Sequence, residues 1–293
     1  MTYIHFIVNP ISGKGKHKIT REFIEGHFPA PAYKLEIDYS QYKKHAIALA
    51  EQAIAQQPDI IVACGGDGTI SEIASKLVNT TIKLGIIPVG SGNGLASNLD
   101  IPRCVLKSIE IIKKKKSVAI DSGKVNQHCF FSNMGFGIDA MIIKKYESTK
   151  KRTLSAYVNA SLKASSQYKP QQALLRYNGK EQLADPFLLF ISNSNEMGYN
   201  MSLTPKASLS DGFLDLLYVP KINFLQKMLF GSLVVAKRSE KFKKAEHAMI
   251  QSLNAELLDR IYTDVQIDGE YHRLDTNKVQ IDILPKSLNV LVS

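Results

Sequence analysis

The sequence predicts an α/β domain built on a doubly wound, mostly parallel sheet, followed by an antiparallel β-sandwich. Three observations carry this expectation. Glycine-containing turns follow apolar strand candidates at Val8, Cys64 and Val89, and helical patterns lie between those strands. Near Ser117 the alternation of strand and helix gives way to short strand candidates. Asn178-Gly179 then joins two such strands with the signal of a tight hairpin.

Tyr3 to Val8 is a β-branched and aromatic run, and a helix is expected from about Lys18 to His27. Tyr33 to Ile37 alternates as a strand. Ser40 is placed to cap a helix whose Ala46, Ile47, Leu49, Ala50, Ala53 and Ile54 form one face, and Pro58 stops it. The strand Asp59 to Cys64 feeds a helix with Ile70, Ile73, Ala74, Leu77 and Val78 on one face. Leu84 to Val89 is the next strand. The second half offers strands at 118–121, 129–132, 173–177, 180–183, 187–192, 214–219, 261–267 and 278–283, and helices only at 154–165 and 222–237. For the latter helix, core packing is the expected role, with a lid or membrane-facing helix as the alternative. The domains expected are 1–121 and 122–285, with a last strand at 286–293 returning to the first.

At 293 residues and 44% hydrophobic, the chain has ample core for two domains. Three cysteines without paired spacing suggest a reducing cytosol and no zinc site. No signal peptide is read at the N-terminus, and no run reaches the roughly 20 apolar residues of a spanning helix. The net charge of +10 favours anionic partners: nucleotide, nucleic acid or acidic headgroups. Nucleic acid is set aside because no recognisable module accompanies the charge.

A strand ending in glycines before a helix exposes unpaired N–H groups that suit a phosphate. Gly90-x-Gly92-x-Gly94 is not the dinucleotide fingerprint, and Asn9 to Lys16 is not a Walker A loop. A single such turn reads as a tight reversal; three on successive strand ends of one parallel sheet read as a ligand site. Asp67, between glycines, caps the following helix or joins a magnesium shell.

Asn9-Pro10-x-Ser12-Gly13-x-Gly15-Lys16, Gly65-Gly66-Asp67-Gly68-Thr69-x-x-Glu72 and Pro88-x-Gly90-Ser91-Gly92-Asn93-x-Leu95-Ala96 resemble the diacylglycerol kinase and sphingosine kinase catalytic family. The second half adds Asp121, Gly135-Phe136-Gly137-x-Asp139, Asp211-Gly212-x-Leu214-Asp215 and Asp268-Gly269-Glu270, so the resemblance spans the chain. It implies an NAD-kinase-like first domain, nucleotide in the interdomain cleft, and ATP-dependent phosphorylation of a lipid hydroxyl with Mg2+. The residues implied for ATP are Asn9, Pro10, Ser12, Gly13, Ser40, Gly65, Gly66, Asp67, Gly68, Thr69, Ile70, Ser71, Glu72, Gly90, Ser91, Gly92 and Asn93. Asp211 would hold magnesium beside the carbonyls of Ser208 and Phe213, with Asp67 and Asp121 reaching it through water. Glu270 would be the general base, or Asp67 if the chain follows the sphingosine branch. There Asp139 would meet the lipid headgroup.

One position departs from the bacterial diacylglycerol kinase pattern: Gly94 stands where an aspartate is usual, and Gly-Ser-Gly-Asn is the form of the sphingosine and ceramide kinase branch. The alternatives are an NAD kinase, which shares Gly-Gly-Asp-Gly, and a non-catalytic lipid- or nucleotide-binding relative. The basic clusters 113–116, 144–152 and 237–244 suit either solvated helix ends or an anionic membrane surface. The expected localisation is cytoplasmic with peripheral membrane association, and a homodimer is admitted as a further partner.

Overall fold

The computed structural model describes residues 1–15, 17–149, 153–196 and 202–293, with Lys14 and Leu154 described by backbone alone. Lys16, Lys150, Lys151 and Arg152, named above, lie outside the described residues. Two compact units emerge, one of residues 1–120 with 286–293 and one of residues 121–285.

The first unit follows the order β1 (Thr2–Val8), α1 (Arg21–His27), β2 (Tyr33–Tyr39), α2 (His45–Ala55), β3 (Ile60–Gly65), α3 (Asp67–Leu77), β4 (Lys83–Pro88), α4 (Gly94–Asn98) and α5 (Val105–Lys114). Its strands pair in parallel in the order β2-β1-β3-β4. Every residue of β3 is buried, as a strand covered on both faces requires. Two starts differ from expectation. Thr20 caps α1 by accepting the Phe23 N–H at 3.2 Å, so the helix begins three residues later than its apolar pattern suggests. Ser40 does not cap α2: the cap residue is Lys44, in a left-handed conformation without a side-chain cap bond, while the Ser40 N–H extends the strand pairing to the Val8 carbonyl.

Strand β5 (Ser117–Val125) leads into the second unit, which contains β6 (His128–Phe130), β7 (Asn133–Gly137), α6 (Ile138–Glu147), α7 (Leu154–Gln167), β8 (Ala173–Tyr177), β9 (Lys180–Ala184), β10 (Pro186–Ser192), β11 (Leu214–Pro220), α8 (Phe224–Val235), β12 (Glu246–Ile250), β13 (Ser252–Leu257), β14 (Thr263–Ile267), β15 (Glu270–Leu274) and β16 (Lys278–Leu291). One sheet runs β12-β11-β10-β7-β14-β15, antiparallel throughout. In the other, β9, β8, β13 and the first part of β16 pair antiparallel. The end of β16 belongs to the first unit, where Val290 pairs in parallel with Leu84 of β4.

The sandwich core joins Phe136, Leu189, Ile191, Leu216 and Val265 to Leu175, Leu253, Val279 and Ile281. The intervening residues of β10 and β11, Leu188, Phe190, Leu217 and Val219, pack outward against Ile138, Ala164 and Phe230 of the three helices. Burial on both faces explains the unbroken apolar run of β10.

The pattern missed α6 because its buried face includes Asp139, and its cap residue, Gly137, provides no side-chain signal. It also missed β15, whose Glu270-Tyr271-His272-Arg273 is the polar sequence of an edge strand. Asn178 and Gly179 take the positive φ angles, 48° and 72°, of the hairpin turn their sequence signalled. The expected core role for the 222–237 helix fails on most of α8. Only Phe230 is buried, while Phe224, Leu225, Met228, Leu229 and Val235 are exposed.

Candidate active site

In the first unit, the three glycine turns form one interlocked structure. Gly66 caps α3, so Asp67 is its first helical residue and does not cap its own helix. Its carboxylate instead reaches the third turn, accepting the Asn93 N–H at 2.7 Å through one oxygen and the Gly94 N–H at 2.6 Å through the other. Asn93 is buried with φ near 60°, and its side-chain amide closes the turn on Gly90, accepting from N–H at 3.1 Å and donating to C=O at 2.8 Å. A Cβ on Gly90 would overlap the backbone of Gly66, and one on Gly92 would overlap the Asp67 carboxylate. Glycine is required here for close approach, since neither residue has a positive φ.

The first turn joins the same structure. Asn9 donates its side-chain amide to Thr69 Oγ1 at 3.0 Å, and its backbone N–H pairs with the Cys64 carbonyl at 2.9 Å. Gly13, at φ 60°, lies so close to the Val89 carbonyl that a side chain would collide with it. Ser12, Gly66, Gly68 and Ser71 are half-buried, whereas Ser91 is exposed. Pro10 is exposed, and Ile70 faces the core of α3. Glu72 is half-buried on α3, and Ser40 is half-buried just after β2. Arg103 donates to the Gly92 carbonyl at 2.7 Å, adding a positive charge beside the third turn that the sequence patterns did not single out.

In the second unit, Asp121 is almost fully buried and organises the 208–213 loop. Its carboxylate accepts the Gly212 N–H at 2.8 Å, and its own N–H donates to the Leu209 carbonyl at 2.7 Å. Asp211 is exposed and turns back on itself, with Oδ1 accepting the Phe213 N–H at 3.1 Å. Nearby, burial and then the Asp211 charge push the Asp215 carboxyl up to about 6. Carboxylate and carbonyl oxygens of this kind are the hard donors magnesium takes, so the residues fit the ion that the resemblance implies. Among the described residues, no three or more His, Cys, Asp or Glu side chains gather as a metal cluster. The implied set of one carboxylate and two carbonyls needs no such cluster.

Glu270 opens β15 directly after a tight turn in which Asp268 and Gly269 take φ 47° and 81°. Asp268 fixes that turn in place: its carboxylate accepts the backbone N–H groups of Phe131, Ser132 and Asn133 at 2.8–3.2 Å. Gln266 adds a bond from the Gly269 N–H to its Oε1 at 2.9 Å. The motif drew attention to Glu270; Asp268 as its anchor became visible only once 131–133 lay beside it. Asp139, at the start of α6, is 3% exposed, and its Oδ2 has no hydrogen-bond partner. Burial pushes its carboxyl up to about 7, partly opposed by a hydrogen bond from Gln266.

Fold and site together define a two-domain class of protein in which an α/β domain with interlocked glycine turns precedes an antiparallel sandwich. The chain belongs to the family of the "YegS C-terminal NAD kinase beta sandwich-like domain", which residues 132–292, more than half of the chain, match. The first unit is similar to the "Diacylglycerol kinase catalytic domain", matched by residues 3–125. A diacylglycerol kinase from Staphylococcus aureus (strain JH9) is 28% identical over 281 residues, covering 90% of this chain and 85% of that protein. The crystal structure of a diacylglycerol kinase from Bacillus anthracis str. Sterne shares the fold with a TM-score of 0.71 at 20% identity, over 99% of this chain and 97% of that one. A further Bacillus anthracis str. Sterne structure gives 0.78 at 23% identity, with the same coverage.

Two outcomes follow from these contacts. Asp268→Ala removes a charged acceptor from three backbone donors and is expected to cost about 1.5–3 kcal/mol, measured by urea denaturation. Unchanged stability would show that the anchor is dispensable. For Asp139, the raised folded-state value means that the carboxyl stays protonated while the unfolded chain ionises. Stability is therefore lost as pH rises from about 4 to about 7. Asp139→Asn lacks this dependence, so its melting temperature should gain on wild type across that interval, by the equivalent of a few kcal/mol. Parallel melting curves against pH would contradict the burial argument.

Proposed function

We propose that this chain transfers the γ-phosphate of ATP to a lipid hydroxyl, with diacylglycerol as the first substrate to test. The observation that carries the proposal is the Asp67 bridge. It locks two glycine turns together at the strand ends, where open α/β sheets bind ligands. The match of residues 3–125 to the diacylglycerol kinase catalytic domain and the names of the relatives support the same reading.

In this mechanism, backbone N–H groups of the Gly65–Thr69 turn and those of Ser91 and Gly92 in the third turn bind and orient the triphosphate, with Asn9, Pro10, Ser12, Gly13, Ser40, Ile70, Ser71, Glu72, Gly90 and Asn93 around it. Phosphoryl transfer depends mainly on such positioning and charge neutralisation. Asp211, Ser208 and Phe213 would hold Mg2+, with Asp121 and Asp67 reaching it through water. When bound, the ion supplies charge neutralisation on the phosphate oxygens. Glu270 takes the proton of the attacking lipid hydroxyl as the new O–P bond forms and the bond to ADP breaks. Asp67, whose two oxygens already hold backbone N–H groups, acts as a positioning residue.

The base assignment separates two variants. Glu270→Gln is expected to lower kcat by roughly 10²–10⁴-fold with ATP affinity nearly unchanged. Asp67→Ala is expected to weaken ATP binding and lower the melting temperature together, because the third turn loses its acceptor. If Asp67→Asn kept both ATP affinity and melting temperature but lost turnover as Glu270→Gln does, the base would be Asp67 instead.

A second reading, a sphingoid base as acceptor, is favoured by the unpartnered oxygen of Asp139 and the Gly-Ser-Gly-Asn turn. Transfer of labelled γ-phosphate to a panel of diacylglycerol, sphingoid base, ceramide and phosphatidylglycerol decides between acceptors. NADP formation would identify an NAD kinase, and no labelled lipid from a total extract would leave a binding protein.

No helix among the described residues is long and apolar enough to cross a membrane. In this reading the enzyme meets its lipid substrate at a membrane surface whose anionic headgroups complement the net charge of +10.

A further inference from the structure

The surface of α8 has the composition of a membrane anchor. Phe224, Leu225, Met228 and Leu229 are 53–76% exposed, and Val235 is 78% exposed. Positions i, i+1, i+4, i+5 and i+11 share one helix face, so these five side chains form a stripe three turns long. Isolated exposed apolar residues are ordinary, but a contiguous stripe marks an interaction surface. The opposite face is anchored: Phe230 is buried, and its ring lies 5.2 Å from that of Phe242. The helix is also stabilised on its own by a capping box, in which the Asn223 side chain accepts the Gln226 N–H and the Gln226 side chain accepts the Asn223 N–H, each at 3.0 Å.

Charge identifies the occupant. From Lys221 to Lys244 the chain carries seven Lys and Arg residues against one acid, Glu240. Lys221, Lys237, Arg238, Lys241, Lys243 and Lys244 are exposed. Phe242, seated under α8 on Phe230, keeps Lys241 and Lys243 beside the helix. An apolar helix face bordered by cations fits the boundary between acyl chains and anionic headgroups. A second copy of the chain would bring the same cations face to face.

We propose that α8 docks this protein onto anionic bilayers, inserting Phe224, Leu225, Met228 and Leu229 while the basic residues at 237–244 contact the headgroups. The inference builds on the lipid-kinase reading, since it names the surface by which such an enzyme reaches its substrate.

Sedimentation of the full chain with vesicles tests it. Wild type should sediment with an equal mixture of phosphatidylglycerol and phosphatidylcholine, far less with phosphatidylcholine alone, and less in high salt. Leu225→Ser/Leu229→Ser should lower binding at least roughly tenfold with the melting temperature unchanged, since both side chains are exposed. Lys241→Gln/Lys243→Gln/Lys244→Gln should weaken binding to anionic vesicles and flatten its salt dependence. Wild type that ignores anionic vesicles, or leucine variants that bind as wild type does, would overturn the proposal. So would light scattering that shows a dimer dissolved by the leucine substitutions while vesicle binding persists. Sedimentation requires no turnover. Vesicle binding without labelled lipid would count against the kinase alone, and turnover of a detergent-dispersed lipid without vesicle binding would count against the docking surface alone.

Discussion

The carboxylate of Asp67 collects two backbone N–H groups from a turn 26 residues further along the chain. The nucleotide half of the proposed site depends on this interaction. Gly66 and Gly90 allow the two turns to touch, but close approach alone would leave the buried N–H groups of Asn93 and Gly94 without acceptors. A charged acceptor satisfies both at once and fixes the spacing of the turns. Asn9 and Thr69 then tie in the first turn. A phosphate arriving at these strand ends would meet donors already held in place, which is what electrostatic preorganisation requires.

The second unit uses the same device twice. Asp268 gathers three N–H groups from 131–133, and Asp121 holds the 208–213 loop through Gly212. In each case one acid of a motif works as a loop anchor, and its neighbour presents the side chain proposed for chemistry: Glu270 next to Asp268, and Asp211 in the loop that Asp121 holds. Motifs rich in aspartate and glycine thus serve two purposes. Glycine gives the sharp turn, and aspartate satisfies the backbone that the turn leaves unpaired.

One reading changed, and one helix went unread, for a shared reason. The α8 sequence reads as an amphipathic helix whose many apolar residues indicate packing on the core. Its packing is limited to Phe230 with the partly buried Leu233 and Val234, so the remaining apolar side chains stay at the surface. In α6 the opposite occurs: a buried Asp139 interrupts what would otherwise read as an apolar face. Hydrophobic pattern reports the tendency of a residue to be buried, and a neighbouring element decides whether it is.

The sequence by itself determined the parallel α/β half, the antiparallel sandwich, the Asn178-Gly179 hairpin and the family. Each of these rests on short-range periodicity, turn chemistry or contiguous motifs. Tertiary structure alone decided that Thr20 and Lys44 begin their helices, since a cap depends on where the preceding strand releases the chain. It alone decided that Asp67 clamps the third turn rather than capping α3, because the two partners of its carboxylate are distant in sequence. The polar edge strand that carries Glu270 was hidden for the same reason. Its pairing with β14 comes from the turn that Asp268 anchors to residues more than 130 positions earlier, and no local pattern encodes that contact.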